Sequence, residues 1–383
     1  MKKVLSFIFL LFLGISIVSA EENTLTPNAK SAILIEQSTG KILYEFNSHE
    51  KRNPASMTKI MSMLLVMEAL ESDQIKMDQV VTVSKNASSM GGSQILLEEG
   101  EKMKVEDLLK GVAIASGNDA VVALAEVIAG SEENFVKMMN DKVKELGLTD
   151  TNFKNCHGLD AEGHYSSAYD MAHIAQELLK HEKILEFSSI YDTYLRENTK
   201  RKIWLVNTNK LVKFKSGVDG LKTGYTKDAG YCLTATMKKD NMRVIATVMG
   251  EENPTTRNSE ISALLDYAYS QAGIKKVVPK NKVVKKIDME KAKKSVIEIV
   301  PVTDVNYLYK KTDKNQKPTY KIKLNKIKLP IKKGNIIGKL ELYLDNNKIN
   351  TFDLTVNRNV EKSNLLELYL KNIKNMMIGD IKF

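Results

Sequence analysis

Cysteine is almost missing, with Cys156 and Cys232 the only two in 383 residues. That excludes a disulfide-stapled scaffold and a cysteine-rich zinc module, whose ligands come in closely spaced pairs. One bridge and two buried thiols both fit what is left. The H-E-x-x-H helix of zinc peptidases is absent: Asn53 and Leu185 stand where the second histidine would follow His49-Glu50 and His181-Glu182. The G-x-S-x-G turn of Ser-His-Asp hydrolases is absent as well, and no apolar run reaches the roughly 20 residues needed to span a bilayer.

What is present starts with an ordinary apolar content of 43%, enough for a folded chain of two or three domains. Lys2 and Lys3 precede a largely apolar run from Val4 to Val18, and Val18-Ser19-Ala20 offers small residues for cleavage. Residues 1–20 therefore read as an export signal, and the mature protein is expected outside the cytoplasm, at the outer face of the cytoplasmic membrane. The net charge of +10 is uneven, since residues 271–383 hold 26 Lys and Arg against 11 Asp and Glu. For an exported protein this excess points to anionic lipid or wall polymer, not nucleic acid.

Alternation around Thr39-Gly40 predicts a hairpin over residues 31–46. Helical spacing predicts a buried helix from Ala55 to Ala69 behind Pro54, a helical stretch from Val105 to Ile128 broken at Ser116-Gly117-Asn118, and a helix from Glu132 to Leu146. Strands are predicted over Ile203–Leu211, Gly230–Met237 and Arg243–Met249, then a helix over Glu260–Gln271. The order implies an α+β domain over 21–272 whose sheet is assembled from both ends of the segment. Short β-branched runs (Val296–Val300, Tyr320–Leu324, Ile336–Leu344, Thr351–Val356) predict a small all-β domain over 273–360. Residues 361–383 predict an amphipathic helix with Leu366, Tyr369, Leu370, Ile373, Met376 and Met377 on one face and Glu367, Lys371, Lys374 and Asn375 opposite. Such a helix suits a membrane surface. No internal repeat is visible.

Serine needs a nearby base to act as a nucleophile at neutral pH. In Ser56-Met57-Thr58-Lys59 the i, i+3 spacing brings an amine to a hydroxyl on one helix face, and burial would keep that amine neutral. Ser116-Gly117-Asn118 supplies a second hydroxyl and an amide where a helical pattern breaks. Lys222-Thr223-Gly224 supplies a cation, a hydroxyl and a glycine on a strand able to pair with an extended peptide. Each is weak alone, but their order and joint presence are specific.

The set resembles the S-x-x-K, S-D-N, K-T-G motifs of active-site serine penicillin-recognising enzymes, with glycine in the middle of the second. It is similar above all to the low-molecular-mass D-alanyl-D-alanine carboxypeptidases, peptidase family S11. Further matching stretches are Arg52-Asn53-Pro54-Ala55, His157-Gly158-Leu159-Asp160, His164-Tyr165-Ser166-Ser167-Ala168, Asn207-Thr208-Asn209-Lys210-Leu211 and Gly217 through Thr226. The resemblance covers about residues 25–270, and more loosely the β domain and terminal helix. It implies the fold shared by serine β-lactamases and penicillin-binding proteins, and hydrolysis of peptidoglycan stem peptides ending in D-Ala-D-Ala, with β-lactams as suicide substrates. It also implies a monomer without metal or other cofactor. Ser56 would be the acylated nucleophile, Lys59 its base, and Ser116 and Asn118 the relay and positioning groups. The N–H groups of Ser56 and Tyr225 would form the oxyanion hole, while Lys222, Thr223 and Thr226, beside Gly224, face the substrate carboxylate. Arg257 matches the family's carboxylate-binding arginine, with Arg243 close in sequence as a rival.

Three other readings compete. A zinc peptidase would draw on His157, Asp160, His164, Asp170 and His173; a β-lactamase would need an added glutamate, for which Glu132 and Glu133 are available; a catalytically silent wall-binding protein would not need the intact triad.

Overall fold

The computed structural model describes residues 25–378, and the side chains as far as residue 373. The expected export signal lies outside the described residues, and the side chains of Lys374, Asn375, Met376 and Met377 lie beyond those described. Five strands, β1 (Ser31–Glu36), β2 (Ile42–Phe46), β3 (Val218–Thr226), β4 (Gly230–Lys239) and β5 (Met242–Glu251), form one antiparallel sheet in the order β2-β1-β5-β4-β3. The first hairpin and the last three strands thus come from the two ends of the segment. All six residues of β1 are buried, because both faces are covered. Ile33 and Ile35 pack into a large cluster with the helices, while Ala32 and Leu34 pack on the other face, the period-two consequence of the pleat.

The helical layer on the first face contains α1 (Lys59–Glu71), α2 (Val105–Ala115), α3 (Asn118–Ala129), α4 (Glu132–Glu145) and α5 (Ala168–Leu178). The break expected at 116–118 falls between α2 and α3, where Ser116 takes φ +65° and closes α2. In α4, Ser131 Oγ accepts from Asn134 N at 3.2 Å, with Glu132 and Glu133 in the first turn and Lys142 and Lys144 in the last. Both charge placements suit the helix dipole. The second face is covered by α6 (Pro254–Gln271), whose Ile261, Leu264, Leu265 and Ala268 are fully buried.

Two sequence expectations change at element ends. The strand predicted to Leu211 stops at Val206, because Asn207 and Asn209 side chains accept from Asn209 N at 2.9 Å and Leu211 N at 3.2 Å and turn the chain into a short helix, Leu211–Phe214. The helix predicted from Glu260 begins at Pro254, since Asn253 caps Thr256 N at 2.9 Å and proline occupies its first turn.

From Gln271 the chain passes directly into β6 (Ala272–Val278), which pairs with Val305–Lys310. A second five-stranded antiparallel sheet joins Lys285–Asp288, Val296–Pro301, Asn347–Val356, Gly338–Leu344 and Thr319–Leu324 around its own apolar cluster. The last helix, α7, spans Leu365–Ile378.

Candidate active site

The Ser56 turn is held in a costly conformation. Ala55–Thr58 form a 3₁₀ turn ahead of α1, and Ala55 sits at φ +47°, a left-handed geometry that costs a non-glycine residue about 1–3 kcal/mol. Three elements press on it. Asn53 Oδ1 accepts from Ala55 N at 2.9 Å. A Cβ on Gly224 of β3 would stand 2.7 Å from the Pro54 carbonyl oxygen, and one on Gly158 would overlap the Ala55 carbonyl. Glycine at 158 and 224 is what lets two segments close on the turn.

Lys59 is fully buried on the first turn of α1. Its Nζ lies 3.0 Å from Ser56 Oγ, 2.6 Å from Asn118 Oδ1 and 2.6 Å from the His157 carbonyl oxygen. Burial pulls its pKa from 10.5 to about 7, against smaller upward effects of Cys156 and Asp119. Two of the three neighbours can only accept. A neutral amine therefore spends both N–H groups on Asn118 and His157, and its lone pair is left facing the Ser56 hydroxyl. This orientation predicts that acylation of Ser56 rises with pH through about 7 and levels off above it. Below that point the rate drops about tenfold per pH unit, because the base is protonated. A stopped-flow pH series with a chromogenic cephalosporin checks this; a rate that shows no acid limb between about pH 5 and 9 contradicts it.

Asn118 opens α3, donates from Nδ2 to the Gly91 carbonyl at 2.7 Å, and its N–H reaches Ser93 O at 2.7 Å. Asp119, buried beside it, accepts from Ile95 N and Leu97 N at 3.0 Å. The 91–97 loop is thereby fastened to the start of α3, and the amide is set toward Lys59. Ser116 Oγ is buried and has no hydrogen-bond partner among the described residues, an unspent donor and acceptor that normally costs about 1–3 kcal/mol.

The third motif lies on β3, an edge strand of the sheet, as β-augmentation requires. Lys222 is buried, donates to the Thr223 carbonyl at 2.9 Å, and has its pKa pushed well below the usual value by burial, then by the Lys59 and Arg257 charges. Thr223 Oγ1 donates to Thr208 Oγ1 at 2.7 Å. Tyr225 is 55% exposed and stacked on Tyr231 at 4.2 Å. Thr226 Oγ1 donates to Asp160 at 2.8 Å, and Asn53 Nδ2 reaches the same carboxylate, so the Thr226 hydroxyl is already engaged at the cleft mouth. The two arginines separate cleanly. Arg243 makes a two-pronged pair with Asp219 at 2.7 and 2.8 Å. Arg257 is buried, meets the Asn258 amide oxygen at 2.9 Å, and has no carboxylate partner among the described residues.

The residues a zinc reading would need are dispersed to other tasks. His164 Nδ1 accepts from Lys154 N at 3.0 Å, so its Nε2–H donates to Thr58 Oγ1 at 2.8 Å. Asp170 accepts from Thr151 at 2.7 Å and His173 meets Gln176 at 3.1 Å. Burial lowers the His157 and His164 pKa values to about 4, keeping both rings neutral. Glu132, the glutamate a β-lactamase reading would recruit, is turned to Cys156 N at 3.2 Å and His157 Nε2 at 3.4 Å. Cys156 and Cys232 are separate buried thiols, their pKa values raised by burial.

Sequence reasoning gave no role to the His157 carbonyl, Thr208, Asp119 or the 91–97 loop. The first two lie inside stretches that carried the resemblance, and Gly91-Gly92 was the only local signal for the loop.

The family described as D-alanyl-D-alanine carboxypeptidase matches residues 17–253, and that described as Penicillin-binding protein 5, C-terminal domain, matches residues 274–362. The chain is 55% identical over 322 residues to the D-alanyl-D-alanine carboxypeptidase DacF of Bacillus subtilis, covering 84% of this chain and 83% of that protein. It is 36% identical over 370 residues to DacC of Escherichia coli, covering 92% and 90%. The solved structure of penicillin binding protein 5 from Haemophilus influenzae superposes with a TM-score of 0.70 at 32% identity, over 87% of this chain and 98% of that one.

Proposed function

The chain belongs to the D-alanyl-D-alanine carboxypeptidase family of S11 peptidases, and we propose that it removes the terminal D-alanine of peptidoglycan stem pentapeptides through an acyl-enzyme on Ser56. The observation that carries the assignment is the buried Lys59 amine, set 3.0 Å from Ser56 Oγ with two pure acceptors taking its N–H groups.

The distances around Lys59 and the edge position of β3 support the following steps. Substrate lies along edge strand β3, its carboxylate drawn to Lys222, Thr223 and Arg257. Lys59 takes the Ser56 proton as Oγ attacks the penultimate carbonyl carbon. The tetrahedral oxyanion is held by the Ser56 and Tyr225 N–H groups, donors of a kind worth about 3 kcal/mol each. The unpartnered Ser116 hydroxyl passes the proton to the leaving D-alanine nitrogen, the C–N bond breaks, and water hydrolyses the ester with Lys59 again as base. A β-lactam enters the same way, but its amine stays tethered after ring opening, so the ester persists.

Digestion after penicillin treatment tests this. The expected product is the Asn53–Lys59 peptide carrying one intact opened penicillin, formed equally with and without EDTA. An adduct elsewhere in the chain, or chelator sensitivity, overturns the assignment, and release of the label within seconds favours a β-lactamase.

We also infer that the enzyme works outside the cytoplasm and that α7 lies on the membrane. Its Leu366, Tyr369 and Leu370 are 67%, 63% and 57% exposed, while Lys371 on the opposite side donates to the Glu290 and Ala292 carbonyls at 2.9 and 3.2 Å. The helix is thus fastened by its polar side with the apolar stripe facing out. Among the described residues no helix is long and apolar enough to cross a membrane. Ending the chain before Ser363 is expected to release the protein from membranes while D-alanine release from a soluble peptide is unchanged; full retention on membranes contradicts the anchor.

A further inference from the structure

A groove of about 790 Å³ opens on the C-terminal sheet domain, far along the chain from Ser56 and immediately beside the root of α7. Its floor is apolar (Met289, Ile327, Leu329), and three lysines rim it, Lys291, Lys328 and Lys362. The chain just before α7 forms one wall through Lys362: Lys362 bridges to Ala292, and Ser363 N donates to Lys291 O at 2.8 Å. Lys293, paired with Glu361 at 2.6 Å, locks the same corner. Nothing in the carboxypeptidase chemistry uses these residues.

We propose that this groove binds the phosphodiester headgroup of an anionic membrane lipid. Charge selects an anion, since the lysine rim sits in a segment where Lys and Arg outnumber Asp and Glu by 26 to 11. Two carboxylates, Asp288 and Glu290, also border the groove, so a bare multivalent anion is a poorer fit than a phosphodiester with hydroxyl donors, such as phosphoglycerol. The lysines take the phosphate oxygens and Glu290 accepts from the hydroxyls. The apolar floor takes the glycerol and first methylenes.

Depth selects a lipid over a free polymer. This step rests on the reading of α7 as a membrane-lying helix. An interfacial helix buries its apolar face about 5–10 Å into the headgroup boundary, and a helix with side chains is about 10–12 Å thick. The side of α7 that meets the 290–292 rim then lies level with the phosphates, which is where the groove opens. The helix supplies apolar affinity of no particular lipid preference, and the groove adds a preference for phosphodiester anions and fixes how the sheet domain stands on the surface.

The test uses the full mature chain and vesicle co-sedimentation on phosphatidylcholine with and without phosphatidylglycerol. Wild type is expected to bind neutral vesicles through α7 and to gain roughly ten- to hundredfold with phosphatidylglycerol, the scale of a few lysines near an anionic surface. The Lys291→Gln/Lys328→Gln/Lys362→Gln variant should lose most of that gain, keep its binding to neutral vesicles and keep D-alanine release. Changing three exposed lysines away from the groove, Lys314→Gln/Lys317→Gln/Lys321→Gln, should leave the gain nearly intact. Equal loss in both triples means diffuse charge and overturns the site, as does an unchanged gain in the groove triple. If the groove lysines govern only binding of a soluble glycerol-phosphate polymer, the occupant is wrong and the proposal falls. Failure of the helix reading shows separately: Leu366→Asp/Leu370→Asp would then leave neutral-vesicle binding untouched, while the phosphatidylglycerol gain still judges the groove.

Discussion

Lys59→Met is expected to slow acylation of Ser56 by penicillin about 10²–10⁴-fold, the range a positioned general base supplies, in a protein that stays folded. Methionine fills nearly the same volume in a site with no solvent exposure, so packing survives. What disappears is the lone pair opposite the Ser56 hydroxyl. The substitution strands two acceptors, Asn118 Oδ1 and the His157 carbonyl, which lie 2.6 Å from Nζ in the native site, at a cost of about 1–3 kcal/mol each. It also removes the burden of burying an amine, a burden visible in the fall of its pKa to about 7, and the two effects offset. Stopped-flow acylation alongside a thermal melt separates them. A variant that melts near wild type and still acylates within tenfold of it would show that some other group takes the Ser56 proton.

Much of the site was legible because its residues are placed by local rules. Ser56 and Lys59 share a face through helical spacing; Ser116-Gly117-Asn118 announces itself as a break in an apolar periodicity; Lys222-Thr223-Gly224 ends with the glycine that close approach to Pro54 demands. The alternation around Gly40 gave the hairpin that the sheet is built on. The parts that escaped are placed by contacts distant in sequence or made by backbone. A carbonyl such as that of His157 carries no side-chain signature, although it shares Lys59 with Asn118. Arg243 and Arg257 are equal as letters, and only the Asp219 pair tells which is already neutralised. In the C-terminal domain the strands Ala272–Val278, Lys285–Asp288 and Val305–Lys310 went unnamed because lysine-rich edges and a helix running straight into a strand blur the period-two pattern. The amphipathic face of α7 was visible, but which side it turns to the protein was not, since that depends on the carbonyls that Lys371 meets.

Gly158→Ala should be nearly as damaging as loss of the base, although alanine adds a single methyl group far from any titrating atom. Gly158 has φ +91° and its missing Cβ is the space occupied by the Ala55 carbonyl, with Ser56 N only 2.9 Å from the same point. Neither neighbour can give way cheaply, for Ala55 is itself held at φ +47° and the opposing atoms are backbone. Either the 156–159 segment retreats, taking the His157 carbonyl from Lys59, or the Ser56 turn shifts against its base. Misplacement of reacting groups by about 1 Å costs on the order of 100-fold, so acylation should fall at least that far. Gly147→Ala is the control that isolates the cause: it carries a comparable left-handed strain, φ +69°, with nothing within 4 Å of the added methyl. It should lose stability of about 1–3 kcal/mol from backbone strain and keep its acylation rate. Measured at a temperature where both variants are fully folded, equal acylation by the two would mean that close packing of the 158 segment on the Ser56 turn contributes nothing to the reaction, and that the pressed turn is a feature of folding alone.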